Sequence, residues 1–263
     1  MKIEGGVARR ALRVGSELAL VEAAWRGDEV LLRAHAADEA AARLAVERMR
    51  FVLMLDEDLE PFHRAFRSDP LLGRALRARP KLRWLRKPEP FEALAWAIIE
   101  QLIDTQRAGN IAWAFTRAHG IRHPRGLWVA PTPAAFANAA ALEAAGLAPT
   151  QARTLSRVAR AIADGRLDPA ADDQRALAAI PGVGEWTIAH LNLFGRGRFD
   201  VPLARDVGMR NAYARVAGVR TGSVTEEEFA AVLDRYTPWQ GLAAMYLVSA
   251  GWRSGGRWAK STA

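Results

Sequence analysis

Hydrophobic and polar positions alternate along the first 35 or so residues and then stop alternating. Val7 to Val14, Leu18 to Trp25 and Glu29 to His35 run with a period of two, as strands with one buried face do. Gly15-Ser16 and Gly27-Asp28 interrupt them, and Arg26-Gly27-Asp28-Glu29 predicts a tight hairpin turn between the last two. From Ala37 to Leu55 the period lengthens to that of a helix: Ala41, Leu44, Ala45, Met49, Val52 and Leu53 fall on one side. The pattern predicts an N-terminal α+β domain over 1–88, an antiparallel sheet with helices on it.

Beyond Pro88 to Pro90, which has the look of a linker, strand signals nearly vanish. Phe91, Leu94, Ala95, Ile98, Ile99 and Leu102 share a helical face behind Glu89-Pro90, a favourable helix start. Thr132-Pro133 opens a helix that stops at Gly146, and Pro149 opens one that ends at Gly165. Another is expected after Asp206. Thr225 with Glu228 three residues on is a capping box for the next, and the last runs from Pro238 to about Ala250. The expected fold class is therefore α+β: a small antiparallel sheet with helices, then a mostly α-helical region over 89–263.

One segment of that region carries more than periodicity. Leu177 to Ala189 reads as a short helix, a Pro181-Gly182-Val183-Gly184 turn and a second helix, a helix-hairpin-helix over about 172–195. Two glycines around a small apolar residue let the turn pass where side chains would clash. They also leave backbone N–H groups bare at the start of the second helix, a ready site for an anion such as a DNA phosphate. Downstream, the loop over 199–210 contains Pro202-Leu203-Ala204-Arg205-Asp206-Val207-Gly208. A hairpin able to grip DNA, followed by a single carboxylate, points to chemistry on a nucleotide.

Composition narrows the classes. A chain of 263 residues, half of them hydrophobic, can bury a full core, yet no apolar run approaches the length that crosses a bilayer. No signal-peptide pattern is expected at Met1 to Gly6, so a cytoplasmic, nucleoid-associated location is. There are no cysteines, which excludes disulfides and a cysteine-ligated iron–sulfur cluster. The net charge of +8 permits a polyanionic partner without requiring one. Only four of the 37 basic residues are lysines, and such an arginine and alanine bias is also what a GC-rich genome produces.

The hairpin and the Pro/Gly-rich loop with its Asp resemble those of the helix-hairpin-helix DNA glycosylases. Within them the chain is most similar to the branch that removes alkylated bases, 3-methyladenine DNA glycosylase II. The resemblance covers most of the chain, and its two motifs are specific in combination. It implies a monofunctional enzyme that binds duplex DNA containing a damaged base, flips that base out and hydrolyses its N-glycosidic bond. The substrates implied are 3-methyladenine, 7-methylguanine and related N-alkylated bases. No cofactor and no obligate protein partner are implied, and a monomer is the default expectation. A structural Na+ or K+ held by the hairpin carbonyls of Ile180 and Val183 is.

Carried onto this chain, the family pattern makes Asp206 the catalytic carboxylate, supporting an oxocarbenium-like sugar. An Asp before a helix is also a good cap, and the two roles are compatible. Trp186 stands where lyase members of the family carry a nucleophilic lysine, and the closest lysines in sequence are Lys87 and Lys260. Trp186 reads either as a stacking face for an extruded base or as core, and His190, one turn on, as pocket or structure. Gln101 joins them as a candidate pocket residue. Leu102 is the candidate wedge into the base stack, or else the end of the buried stripe. Leu102, Pro181, Gly182, Val183, Gly184 and Arg205 are the expected DNA contacts. Phe62, Trp96, Trp113 and Trp239 could line a pocket or fill a core, and Arg196, Arg198 and Arg210 could touch phosphate. Three positions depart from the family pattern: Glu100, Asp104 and Val248. Two rivals stand beside this reading, a bifunctional oxidised-base glycosylase/lyase and a non-enzymatic damaged-DNA-binding protein.

Overall fold

Alternation in the first 35 or so residues becomes an antiparallel meander. In the computed structural model, which describes residues 1–251, β1 (Lys2–Glu4), β2 (Val7–Val14), β3 (Glu17–Arg26) and β4 (Glu29–His35) pair in that order. Of these four, β1 is the strand that the sequence pattern missed. Val14 faces Glu17 and Arg26 faces Glu29, so both later hairpins close on two-residue turns, with Gly15 and Gly27 at positive φ. The helix α1 (Glu39–Val52) buries Ala41, Ala45, Met49 and Val52, a three-and-four spacing, and packs on β3 and β4.

The rest is helical: α2 (Glu60–Phe66), α3 (Gly73–Ala78), α4 (Pro90–Glu100) and α5 (Thr105–His119) come first. A two-residue ribbon of β5 (Ile121–Arg122) and β6 (Trp128–Val129) follows, then α6 (Pro133–Phe136), α7 (Ala139–Ala144) and α8 (Pro149–Ala163). The chain ends through α9 (Gln174–Ala178), α10 (Glu185–Gly195), α11 (Val207–Ala217), α12 (Glu226–Asp234) and α13 (Gln240–Gly251). The α+β class is as expected. The single helix expected over 133–146 is two, because the Asn138 side chain accepts from Ala141 N at 3.3 Å and starts a fresh helix. The Thr225–Glu228 box forms in both directions, at 3.1 and 2.8 Å.

The division into consecutive halves at 88/89 is corrected. The chain forms two interleaved compact units, Met1–Val52 with Lys87–Leu191, and Leu53–Arg86 with the segment from Asn192 onward. The change from strand to helix periodicity is real, but it is not a domain boundary. In the first unit the sheet packs against elements far downstream in the chain. Ala11 and Leu20 are buried with Val129 of β6, and Arg10 Nη2 lies 3.0 Å from the Glu92 carboxylate of α4. Phe136 meets Phe91 and Phe115 at 5.3 and 4.5 Å between ring centres, above the buried stripes of α4 and α8.

The second unit is built on aromatics. Phe62 is 1% exposed, with Phe66 at 5.2 Å, Tyr246 at 5.5 Å and Trp239 at 6.1 Å between ring centres. Phe62 is therefore core and not pocket. Arg86, 3% exposed, donates to Glu57 Oε1 at 2.5 Å and to Gly197 O at 2.9 Å, and covers the Phe199 ring. That is how a buried guanidinium is tolerated.

Candidate active site

The hairpin lies in the first unit. Asp173 caps α9 by accepting from Ala176 N at 2.9 Å, and Val183 N closes the turn on Ile180 O at 3.0 Å. Val183 is buried, whereas Pro181, Gly182 and Gly184 are exposed. The two glycines are there for different reasons. Gly182 has φ +94°, and a β-carbon there would stand 2.1 Å from Thr154 Oγ1, so the fold itself requires glycine. Thr154 in turn donates to Pro181 O at 3.2 Å. Gly184 is unlike this. A β-carbon there would meet nothing within 4 Å. Packing does not require a glycine at that position, which opens onto solvent at the start of α10.

The end of α4 is tied to this hairpin. Gln101 Nε2 donates to Gly182 O at 3.0 Å and to Thr187 Oγ1 at 2.9 Å, while Gln101 O accepts from buried Gln151 at 2.6 Å. Gln101, expected in the pocket, is thus a clasp between α4 and the hairpin. Leu102 follows at φ +60° and is 103% exposed. Of its two readings, continuation of the buried stripe is overturned. A non-glycine residue in this conformation costs about 1–3 kcal/mol and persists only where its neighbours over-determine it. Here Gln101 fixes one side and Asp104 the other, its side chain accepting from Arg107 N at 3.0 Å to start α5. Asp104, one of the departures from the family pattern, is thus the N-cap of α5.

Glu100, the other unexpected acid, is held by its own unit. Its Oε2 accepts from Trp96 Nε1 at 2.8 Å and its Oε1 from Thr105 Oγ1 at 2.6 Å. Trp96 is placed by this bond rather than by a pocket. His190 Nε2 lies 3.7 Å from Glu100 Oε2, and the His190 ring is 5.4 Å from Trp186. His190 is 6% exposed, and burial, helped by the charge of Lys87, pushes its pKa down to about 3. Its imidazole is neutral, so its approach to Glu100 is not an ion pair. Trp186 is only half-buried. Lys87, remote from Trp186 in sequence, reaches the same cluster: its Nζ is 4.1 Å from the Trp96 ring centre. Burial and Arg10 pull its pKa down to about 8. Lys260 lies outside the described residues.

Asp206 belongs to the second unit. Its Oδ1 accepts from Met209 N at 2.8 Å and caps α11, so the cap role is met. A β-carbon on Gly208 would sit 3.1 Å from that oxygen, so glycine there leaves the carboxylate room. The arginines nearby are engaged: Arg205 with Glu226 at 2.8 Å, Arg198 with Asp200 at 3.0 Å, Arg210 with Ala204 O at 2.9 Å and Arg196 with Asn192 at 2.6 Å. Trp113 lies in the first unit, 51% exposed, edge-on to Trp128. Val248 lies half-buried on α13.

No protein-family model matches the chain. In sequence it is 28% identical over 255 residues to a protein of Mycobacterium tuberculosis named as a probable bifunctional transcriptional activator/DNA repair enzyme AlkA. That match covers 94% of this chain and 50% of the relative, so the chain spans about half the relative's length. It is also 28% identical over 206 residues to the DNA-3-methyladenine glycosylase of Bacillus subtilis, covering 73% of this chain and 67% of that one. The 3-methyladenine DNA-glycosylase structure from Archaeoglobus fulgidus superposes with a TM-score of 0.79 at 20% identity, over 94% of this chain and 87% of that one. The fold is that of the helix-hairpin-helix DNA glycosylases. The resemblance first seen in the hairpin and the Asp loop is borne out, to the superfamily and to its alkylation-repair branch. Among the described residues no three His, Cys, Asp or Glu side chains gather as a metal site, and no helix is long and apolar enough to cross a membrane.

Proposed function

We propose that the chain is a monofunctional DNA glycosylase acting in the cytoplasm on chromosomal DNA, without an obligate protein partner. It hydrolyses the N-glycosidic bond of alkylated bases such as 3-methyladenine and 7-methylguanine. The observation that carries this reading is Leu102, a fully exposed leucine at positive φ, clasped through Gln101 to a glycine hairpin. An exposed apolar residue held in a strained backbone does nothing for the fold; it suits insertion into a base stack.

The exposed turn Pro181, Gly182 and Gly184, with the first N–H groups of α10, grips a backbone phosphate. As the family resemblance implies, a monovalent cation held by the carbonyls of Ile180 and Val183 would add positive charge beside that phosphate. Leu102 fills the space of the base that leaves the stack, and Trp186 offers it an aromatic face. The C1′–N bond then breaks with its electron pair going to the base, so a cationic base departs neutral. Asp206 is the carboxylate that supports the charge left on the sugar, and water adds to C1′ and gives up a proton, producing an abasic site. The Asp needs no strong acid as a partner because the positive charge on the base already weakens the bond.

The test is release of free bases from methylated DNA by the wild type and by Asp206→Asn, with binding to abasic-site duplex measured in parallel. Release by the wild type alone, with binding by both, is expected. Binding by both with release by neither would make the chain a damage-binding protein.

A further inference from the structure

Between Thr105 and Leu142 the chain has no Asp or Glu, although it carries 29 in all. Four exposed arginines stand in that run, Arg107, Arg117, Arg122 and Arg125, and among the described residues none of them pairs with a carboxylate. Arginines elsewhere do, as Arg9 does with Glu22 and Arg205 with Glu226. Arg117 instead lies 5.9 and 5.8 Å from the ring centres of Trp113 and Trp128, and Arg125 Nη1 lies 3.4 Å from His35 Nε2. Uncompensated like charges repel one another in the free protein and are relieved by a polyanion. Arg122 and Arg125 wall a cleft of about 450 Å³ over the face of β1, β2 and β3. On its other side Lys2 neutralises Glu4 at 2.7 Å and Arg9 neutralises Glu22 at 2.8 Å, so the two arginines are the charge left over. The turn that presents them is braced: His123 N donates to Leu127 O at 2.7 Å, Gly126 N to His123 O at 2.8 Å and Arg125 N to His123 Nδ1 at 3.2 Å. A backbone fixed beforehand lowers the ordering cost of binding.

We propose that this cleft is a second DNA-contact site, which holds the sugar–phosphate backbone of the duplex flank at a distance from the damaged base. This rests on the reading of the chain as a DNA-binding enzyme. The helix α5 supplies the spacing. It begins just after Leu102 and ends just before Arg122, and its 15 residues span about 22 Å. At 3.4 Å per base pair that is about six base pairs from the wedge. Its exposed side leads from one site to the other through Gln106, Asn110, Trp113 and Arg117, spaced at three and four residues and free of acids. Contacts of this kind fix the duplex through its phosphates and carry no sequence information, as suits an enzyme that meets damage in any sequence.

The experiment is fluorescence anisotropy on three duplexes with one abasic site. One has about twelve base pairs on both sides, and the others have one side or the other cut to about four, short of the cleft. Cutting one flank, and only one, is expected to weaken wild-type binding about tenfold. Arg122→Gln/Arg125→Gln is expected to bind the full duplex as weakly as the wild type binds the shortened one, and to be indifferent to that shortening. Its slope of log affinity against log salt should be smaller by about two. Arg122→Lys/Arg125→Lys keeps both charges and should restore most of the affinity and the slope; a lysine variant as weak as the glutamine one marks damage to the turn and overturns the proposal. So does a wild type indifferent to flank length, a flank effect that survives the glutamine substitutions, or an equal weakening of all three duplexes. If the wild type binds none of the three, the DNA-binding reading fails and the cleft with it. If it binds all three alike, the reading stands and only the cleft fails.

Discussion

Replacing each hairpin glycine by alanine should separate a glycine needed for folding from one needed for binding. In Gly182→Ala the new methyl must accept a backbone at φ +94°, which costs about 1–3 kcal/mol for an L-residue. It also meets Thr154 Oγ1 at 2.1 Å and Cγ2 at 2.9 Å, and Thr154 is 2% exposed, so it cannot simply swing aside. Displacing it breaks the bond to Pro181 O, a further ~1 kcal/mol. A total of about 3 kcal/mol is expected, a loss of roughly 6–12 °C in Tm for a protein of this size. Thr154→Ala alone should cost about 1–2 kcal/mol, yet combined with Gly182→Ala it removes most of the clash. The double variant should therefore lose about 2–3 kcal/mol, well short of the sum. Gly184→Ala adds a methyl in open space and should leave stability within about 0.5 kcal/mol, while binding to abasic-site duplex weakens about tenfold. Urea unfolding and fluorescence anisotropy give the two quantities. A stable Gly182→Ala, or strict additivity with Thr154→Ala, refutes the packing argument; undiminished DNA binding by Gly184→Ala refutes the phosphate site.

Leu102→Gly relieves the positive φ and should leave the protein as stable as wild type or up to about 1 kcal/mol more so, with base release at least tenfold slower; unimpaired release would show that Leu102 is no wedge. His190 titrates near 3 when folded and near 6.5 when unfolded, so the unfolded chain binds the proton first. Its contribution is complete above pH 6.5 and fades as pH falls toward 3. From pH 7 to pH 5 the wild type should lose about 2 kcal/mol through this residue, and His190→Leu should lack that slope in denaturant titrations. A pKa of about 8 makes Lys87 the described lysine best suited to attack an abasic aldehyde. With Trp186 at the lyase position, borohydride is nonetheless expected to trap no protein–DNA adduct; a trapped species that Lys87→Met abolishes would make the enzyme bifunctional.

Most of the fold was legible because it obeys local rules. Three of the four strands of the meander, α1, α4, α8 and the Thr225 capping box lie where periodicity, proline and capping chemistry put them. The helix α5 was not read, because its start depends on a single Asp104 cap directly after a strained Leu102, and its apolar stripe of Ala108, Ile111 and Phe115 is sparse. Interleaving of the units was not legible either, since sequence proximity says nothing of Val129 packing under Ala11. In the site, the hairpin and Asp206 were visible as motifs. Lys87 was not, for the same reason that the units were not: it reaches Trp96 and His190 only through the fold. The stripe arithmetic left Leu102 both a wedge and a core reading, and its exposure at positive φ removes the second.

These failures of local rules have a common location. The strained leucine, the glycine without a packing reason, the low-pKa lysine and the neutral buried histidine all lie on α4 or α10 or within three residues of their ends. Exceptions of this kind lower stability, and a fold keeps them where something other than folding requires them. Asp206 is the opposite case. It satisfies every local preference, since an Asp at an N-cap beside a glycine is good for α11 whether or not chemistry happens there. Nothing about its geometry betrays a second role, so only a substitution that preserves the cap can reveal one. Asparagine caps as well as aspartate does but carries no charge. If Asp206→Asn keeps its Tm within about 2 °C and still loses base release, the carboxylate charge does the chemistry. If Tm and release fall together, the residue is a cap and the catalytic group must be sought elsewhere.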